Sequence, residues 1–262
     1  MSTMRPAIWT EALKLRKSAV FKVSLYFFIF IGIMMGLLMY LSMHPEMASR
    51  SSTLEFKTSF LGGSTWQGFF GLLMQLILTL GMIGSGIVTS WMFGREYSDR
   101  VIKDLLALPV SRSTIVLSKF ILLFLWCILL MVLMLISALL TGALIGLPGW
   151  SDTDLISFLR SYAVCGILNT LLIMPVAFVA SAGKGYMLPI SFVILFLILT
   201  QFIFVGFPDL AVWFPWALPA LVSGVAGPVA PDPRPVSWLL YSAVVAAGAA
   251  GTMLWWRYAD HQ

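Results

Sequence analysis

The chain has 262 residues, of which 60% are hydrophobic and only 10% are charged, and its mean hydropathy is +0.97. Soluble domains carry about 25% charged residues, so this composition excludes a soluble enzyme or binding domain and indicates an integral membrane protein. The two cysteines, Cys127 and Cys165, lie in apolar segments and predict neither a disulfide framework nor a metal site. In a membrane protein the basic residues behind the net charge of +5 mainly indicate which loops are cytoplasmic. We therefore do not interpret this charge as a sign of a nucleic-acid partner.

The first predicted element is an N-terminal helix. Residues 5–18 place Ile8, Trp9 and Leu13 on one helical face, as in a helix that lies in the membrane interface, although a plain basic flank fits equally well. Apolar runs long enough to cross a hydrocarbon core of about 30 Å follow. The sequence therefore predicts an all-α membrane protein, a single transmembrane domain with six helices, at residues 23–41, 65–92, 115–146, 160–182, 186–207 and 236–256.

The distribution of basic residues predicts the orientation of these spans. With six spans both termini share one side, and 12 of the 16 lysines and arginines fall on that side. By the positive-inside rule both termini and the loop at 93–114 are expected to be cytoplasmic. The second span carries Gly81, Gly84 and Gly86, and small residues at this density let helices approach closely, so we expect this span to pack against a partner.

Two connecting segments have unusual compositions. The charged segment, residues 93–114, alternates charges with apolar residues at helical spacing, which predicts a short amphipathic helix that Pro109 ends before Ser111 caps the next helix. The apolar part of the proline-rich segment, residues 208–235, is too short to cross the membrane. The segment is therefore predicted to form either a re-entrant hairpin or an external loop whose aromatic residues lie in the interfacial belt. Its aromatic group is a candidate outer gate: Trp213, Phe214 and Trp216.

Enzymatic chemistry is not indicated, and neither catalytic nor metal-binding residues are expected. The fragment S-A-G-K-G at 181–185 lacks the earlier glycine and the following Ser or Thr of a phosphate loop. No charge falls at a predicted span centre, which disfavours an ion-coupled transporter. The mid-span polar residues Gln75, Asn169 and Gln201 are candidates to line a pathway, and interhelical hydrogen bonding is the alternative for each.

The charged segment carries a resemblance to a known family. Its pattern R-E-Y-S-D-R-x-I-x-D-L-L-x-L-P-V-S-R-x-x-I-x-x-S-K resembles the segment between the second and third spans of type-2 ATP-binding-cassette (ABC) permeases, although Arg100-Val101 replaces the usual pair ending in threonine. The N-terminal W-T-E-A-L-K-L-R-K resembles the amphipathic N-terminal helix of that family. The compact six-span form is similar to bacitracin-resistance and lantibiotic-immunity exporters.

The resemblance implies a half-transporter in the cytoplasmic membrane of a bacterium, with a coupling helix that docks on a separate ATPase subunit. ATP and magnesium would bind that partner, and two permease copies, as a homodimer, would complete the transporter. The uncharged interior favours an amphipathic or apolar substrate such as a peptide antibiotic, drug or lipid-like compound. A membrane sensor or assembly scaffold that docks an ATPase is the alternative. The residues expected to couple to the ATPase are Arg95, Glu96, Asp99, Arg100, Leu105, Leu106, Pro109 and Arg112.

Overall fold

The computed structural model describes residues 4–44, 64–99, 111–227 and 230–258, and within these ranges the chain contains helices and no strand. The helices are α1 (Met4–Lys17), α2 (Ala19–Met43), α3 (Trp66–Ser98), α4 (Arg112–Leu144), α5 (Asp152–Leu171), α6 (Ile173–Ala182), α7 (Met187–Gly206), α8 (Leu218–Ser223) and α9 (Pro235–Tyr258). Two 3-10 turns, Pro208–Trp213 and Pro215–Ala217, precede α8.

Six helical stretches are long and apolar enough to cross a membrane: α2, α3, α4, α5 with α6, α7 and α9. The predicted all-α architecture with six spans is therefore confirmed. The helical stretches other than α7 extend beyond the predicted apolar runs at one end or both, and polar N-caps set where several of them begin. Ser111 caps α4 as predicted, since its hydroxyl accepts a hydrogen bond from the amide of Thr114 at 3.2 Å. Ser151 caps α5 in the same way, so that helix begins at Asp152 rather than at residue 160.

The fourth span is broken at Leu172 into α5 and α6. Pro175 has no N–H, so it cannot donate to the carbonyl of Leu171, and the helix divides at this point. Gly248 of α9 faces the break, and a Cβ atom at that position would overlap the backbone of Pro175. This glycine therefore allows the fourth and sixth spans to pack with their backbones in contact.

Small residues also hold the first three spans together. Gly32 and Gly36 of α2 form a G-x-x-x-G pair that faces Ser137 and Thr141 of α4, and the Thr141 hydroxyl donates to the carbonyl of Gly32 at 3.3 Å. The glycines of α3 pack within the chain as well. Gly84 faces Phe28 of α2, and Gly86 faces Val193 of α7. Packing inside one chain thus accounts for these α3 glycines, and they no longer argue for a second copy.

The proline-rich segment folds as the two 3-10 turns followed by α8, and it lies against the spans. Leu218 is fully buried. The Ser237 hydroxyl of α9 donates to the carbonyl of Val212 at 2.8 Å, and the Cys165 thiol of α5 donates to the carbonyl of Pro219 at 3.3 Å. The segment is therefore attached to two spans at the end of the bundle where α7 ends and α9 begins.

Candidate functional site

A cavity of about 480 Å³ lies between α3, the α5–α6 junction, α7 and the proline-rich segment. Its volume is in the range of sites that bind drug-sized ligands. The three mid-span residues predicted as pathway-lining candidates, Gln75, Asn169 and Gln201, all lie in its wall. The fold thus brings together polar residues that are far apart in sequence, and we call the space they line the polar cavity.

The polar groups of the cavity wall differ in whether the protein already uses them. Asn169 is buried, and its amide donates to the carbonyl of Ile77 at 2.8 Å, which is the interhelical bond expected as the alternative to a pathway role. Thr79 and Thr200 donate to carbonyls of their own helices. Gln75 and Gln201 are exposed and line the same cavity from α3 and α7. Their amides are therefore the groups best placed to meet a ligand.

The polar cavity has no formal charge in its wall. Among the described residues that line it, none is Asp, Glu, Lys, Arg or His, and the remainder are aliphatic, aromatic or small. An ion that left water for this cavity would lose hydration without meeting a countercharge, which is costly. The wall therefore suits an uncharged ligand, or the uncharged part of a larger one.

The predicted gate aromatics occupy two different places. Trp216 packs on Phe196 of α7 with ring centroids 4.0 Å apart, and Phe214 stacks on the same ring at 5.9 Å. Trp216 also forms part of the cavity wall. Trp213 is 58% exposed and does not line the cavity. The structure thus joins Phe214 and Trp216 to the cavity region and leaves Trp213 outside.

A second candidate site lies at the opposite end of α3, where four charged side chains form a buried ion cluster. Lys119 of α4 is 1% exposed, and its ammonium group donates to Glu11 of α1 and to Glu96 of α3, each at 2.8 Å. It also donates to the carbonyl of Met92 at 3.2 Å. Lys14 of α1 completes the cluster at 2.7 Å from Glu11 and 3.4 Å from Glu96. The cluster therefore attaches α1 to the second and third spans.

The formal charges of the cluster cancel, with two carboxylates and two ammonium groups. Burial by itself would raise the pKa of Glu11, but Lys119 and Lys14 outweigh this effect and hold the pKa of that carboxyl below its usual value. One oxygen of Glu96, Oε2, is buried and has no hydrogen-bond partner in the part of the chain that the structure describes. Glu96, predicted to couple to the ATPase, thus points into its own chain and bonds α1 and α4.

The other predicted coupling residues are distributed as follows. Arg112 donates from its guanidinium to the carbonyls of Trp256 and Arg257, at 3.3 and 3.1 Å, and so caps the C-terminal end of α9. Arg95 pairs with Asp99 at 3.0 Å on the exposed face at the end of α3. The remaining predicted residues lie outside the described part of the chain: Arg100, Leu105, Leu106 and Pro109.

Sequence reasoning missed the roles of Glu11 and Lys119. From the sequence, Glu11 is only part of the N-terminal pattern W-T-E-A-L-K-L-R-K, and Lys119 is only the last residue of the charged pattern. The sequence does indicate a buried role for Lys119, because this lysine lies within the apolar run predicted as the third span. A lysine in that position needs a buried countercharge. The partner could not be read from the chain, since Glu11 is 108 positions away.

These features define a multi-pass membrane protein with a small uncharged cavity at one end and a buried ion cluster at the other. The model of the family described as ABC-2 family transporter protein matches residues 7–201, and the chain belongs to this family. It is 30% identical over 188 residues to the bacitracin transport permease protein BCRB of Bacillus licheniformis, a match that covers 71% of this chain and 88% of the relative. No solved structure matches the chain. The chain is thus a membrane permease subunit of the ABC-2 type.

Proposed function

We propose that this chain is the membrane half of an ATP-driven exporter that moves an amphipathic or apolar compound across the cytoplasmic membrane. The polar cavity carries the proposal, because it combines a ligand-sized volume with amide groups and no charge in its described wall. A peptide antibiotic, a drug or a lipid-like compound fits these properties. The relative named as a bacitracin transport permease supports a peptide antibiotic in particular.

The energy source in this proposal is a separate ATPase subunit that binds ATP and magnesium. It docks at the end of the bundle that holds the ion cluster, where both termini and the charged segment are cytoplasmic. The excess of basic residues on that side supports the orientation. In this proposal two permease copies and two ATPase subunits form the complete transporter. One six-span chain does not enclose a pathway by itself, and a second copy related by two-fold symmetry completes it.

A transport assay tests the proposal. The chain and its ABC ATPase subunit are reconstituted into vesicles, and ATP-dependent movement of fluorescently labelled bacitracin is measured. We expect Gln201→Lys to reduce transport at least about tenfold, because it places a charge in the uncharged cavity wall. Gln67→Lys is the matched control. Gln67 lies at the start of α3, outside the cavity wall, and its amide donates to Asp154 at 3.0 Å, so a lysine at this position would face a carboxylate.

The outcomes separate the exporter from a membrane sensor or scaffold. Transport by the wild-type complex that Gln201→Lys abolishes and Gln67→Lys retains supports the exporter and its cavity. Bacitracin-stimulated ATP hydrolysis without any movement of the peptide would instead identify a sensor. Stable association of the two subunits with neither transport nor stimulation would identify a scaffold.

A further inference from the structure

Trp216, one of the residues that line the polar cavity, carries a buried hydrogen-bond donor that has no partner within the described residues. Trp216 lies in the turn Pro215–Ala217, and its ring is held by Phe196 and, edge to face, by Phe192 at 5.8 Å. Its indole nitrogen is buried, and no acceptor reaches it within the described residues. The ring is thus fixed by aromatic packing while its N–H remains unpaired.

An unpaired buried N–H is unusual, because the group loses its bond to water and gains nothing in exchange. Two other buried aromatic donors of the described chain are paired. Trp126 donates to the Ser24 hydroxyl at 3.3 Å, and Tyr241 donates to the carbonyl of Leu168 at 2.6 Å. Both acceptors belong to another helix. The unpaired N–H of Trp216, a residue that lines a ligand-sized cavity, therefore requires an explanation of its own.

We infer that the Trp216 N–H is a specificity-determining donor for a ligand in the polar cavity, an inference that rests on the proposed function. The part of the ligand that enters the cavity is neutral and amphipathic and has at least one carbonyl or hydroxyl oxygen, as in an acylated peptide amide. Gln75 and Gln201 supply further donors and acceptors from the same wall. Because the N–H is covered in this structure, ligand binding includes a small shift of the Pro215–Ala217 turn.

Two properties of the site narrow the ligand class. The uncharged wall disfavours a cationic or anionic ligand, because no described side chain there offers a countercharge. The unpaired donor disfavours a pure hydrocarbon, because a hydrocarbon would leave the N–H as it is. An apolar body with an uncharged acceptor satisfies both conditions. A site built in this way discriminates strongly, since a ligand without the acceptor leaves a buried polar group unpaired.

The test uses the purified full-length chain in lipid nanodiscs, with empty nanodiscs as the blank. The probe is N-acetyl-phenylalanine methylamide, and its 4-guanidino derivative supplies a positive charge on the same frame. Binding is measured by calorimetry and by the shift in melting temperature. We expect the wild type to bind the neutral probe at least about tenfold more tightly than the charged one.

Trp216→Phe is the decisive variant, because it removes the N–H, together with the pyrrole part of the indole, and keeps an aromatic ring that can pack on Phe196. We expect about tenfold weaker binding of the neutral probe and, without probe, a clearly smaller fall in melting temperature than in Trp216→Ala, because loss of the unpaired N–H offsets part of the lost packing. Trp213→Phe, in the same segment but exposed, should leave both quantities unchanged. Trp216→Ala should lower the melting temperature, because it also removes the packing on Phe196.

The inference is overturned if Trp216→Phe binds the neutral probe as tightly as the wild type does, or if it lowers the melting temperature as much as Trp216→Ala. Equal binding of the neutral and charged probes by the wild type also overturns it. These results are distinguishable from failure of the proposed function. A wild-type complex that binds the neutral probe but transports nothing contradicts the exporter, whereas normal transport by Trp216→Phe contradicts only the role of its N–H.

Discussion

Replacing Lys119 with methionine should destabilise the protein strongly, because it leaves two carboxylates buried without their main countercharge. Methionine has a similar length and no charge, so packing changes little. The ammonium of Lys119 makes two bonds of 2.8 Å to Glu11 and Glu96, and removal of one partner from such a buried pair costs about 3–5 kcal/mol. Lys14 lies at 2.7 Å from Glu11 and compensates in part for the lost charge. We therefore expect Lys119→Met to lower the free energy of unfolding by about 3 kcal/mol.

The assay is thermal unfolding of the purified chain in detergent. A loss of about 3 kcal/mol corresponds to a fall of roughly 6–12 °C in melting temperature for a chain of this size. The triple variant Lys119→Met, Glu11→Gln, Glu96→Gln removes the buried charges together and should recover most of the loss, because neutral replacement of a whole buried ion pair is often tolerated. Lys17→Met, at an exposed lysine of α1, is the matched control and should change stability by less than about 0.5 kcal/mol.

Two results would refute this reasoning about the ion cluster. The first is a Lys119→Met variant that melts like the Lys17→Met control, which would mean that the cluster contributes no net stability. The second is a triple variant no more stable than Lys119→Met alone, which would assign the loss to side-chain packing rather than to unpaired carboxylates. Either outcome would also remove the cluster as the attachment of α1 to the spans.

Three further predictions concern other contacts. Gly248→Ala should destabilise by about 1–3 kcal/mol because its Cβ would overlap the backbone of Pro175, whereas Gly71→Ala, with no atom within 4 Å of the new Cβ, should be neutral or stabilising by thermal unfolding. Arg112→Ala should lower the free energy of unfolding by about 1 kcal/mol and increase hydrogen exchange at the C-terminal end of α9, because its bonds to the carbonyls there are lost. If ATPase association is lost while exchange is unchanged, the result supports the predicted coupling role instead. The pKa of Glu11 is lowered in the folded state, so the ionised carboxylate stabilises the fold above its unfolded pKa near 4.5, and this contribution is lost as the pH falls below that value. The melting temperature of the wild type should therefore drop below that pH, whereas the melting temperature of Glu11→Gln should not.

Local signals explain why the span count and some helix ends could be predicted from the sequence. Hydropathy identified six apolar runs because each must cross the same thickness of hydrocarbon. Ser111 could be predicted as a cap because an N-cap depends only on the next three residues. The break at Leu172 was equally local, since Pro175 is visible in the sequence, but a proline within an apolar span does not by itself show that a helix divides.

Contacts between distant residues could not be predicted in the same way. The α3 glycines indicated close packing, yet hydropathy does not specify the partner, and the structure supplies Phe28 and Val193 of the same chain. Gln75, Asn169 and Gln201 could be selected as mid-span polar residues, but only the folded arrangement shows that they share a cavity. The coupling prediction for the charged segment came from a resemblance, and residues 100–110 lie outside the described ranges.

Helix α3 enters both candidate sites, and this shared element relates them physically. Gln75 lies in the cavity wall and Glu96 in the ion cluster, 21 residues apart on one helix, which corresponds to about 32 Å. Between them, Gly84 and Gly86 pack so closely on α2 and α7 that a Cβ atom would clash, so this helix cannot shift without moving its neighbours. We therefore expect that a displacement of α3 at the ion cluster would also move the wall that holds Gln75. Helix α3 thus connects the uncharged cavity physically to the buried ion cluster, a relation that is not visible from either site alone.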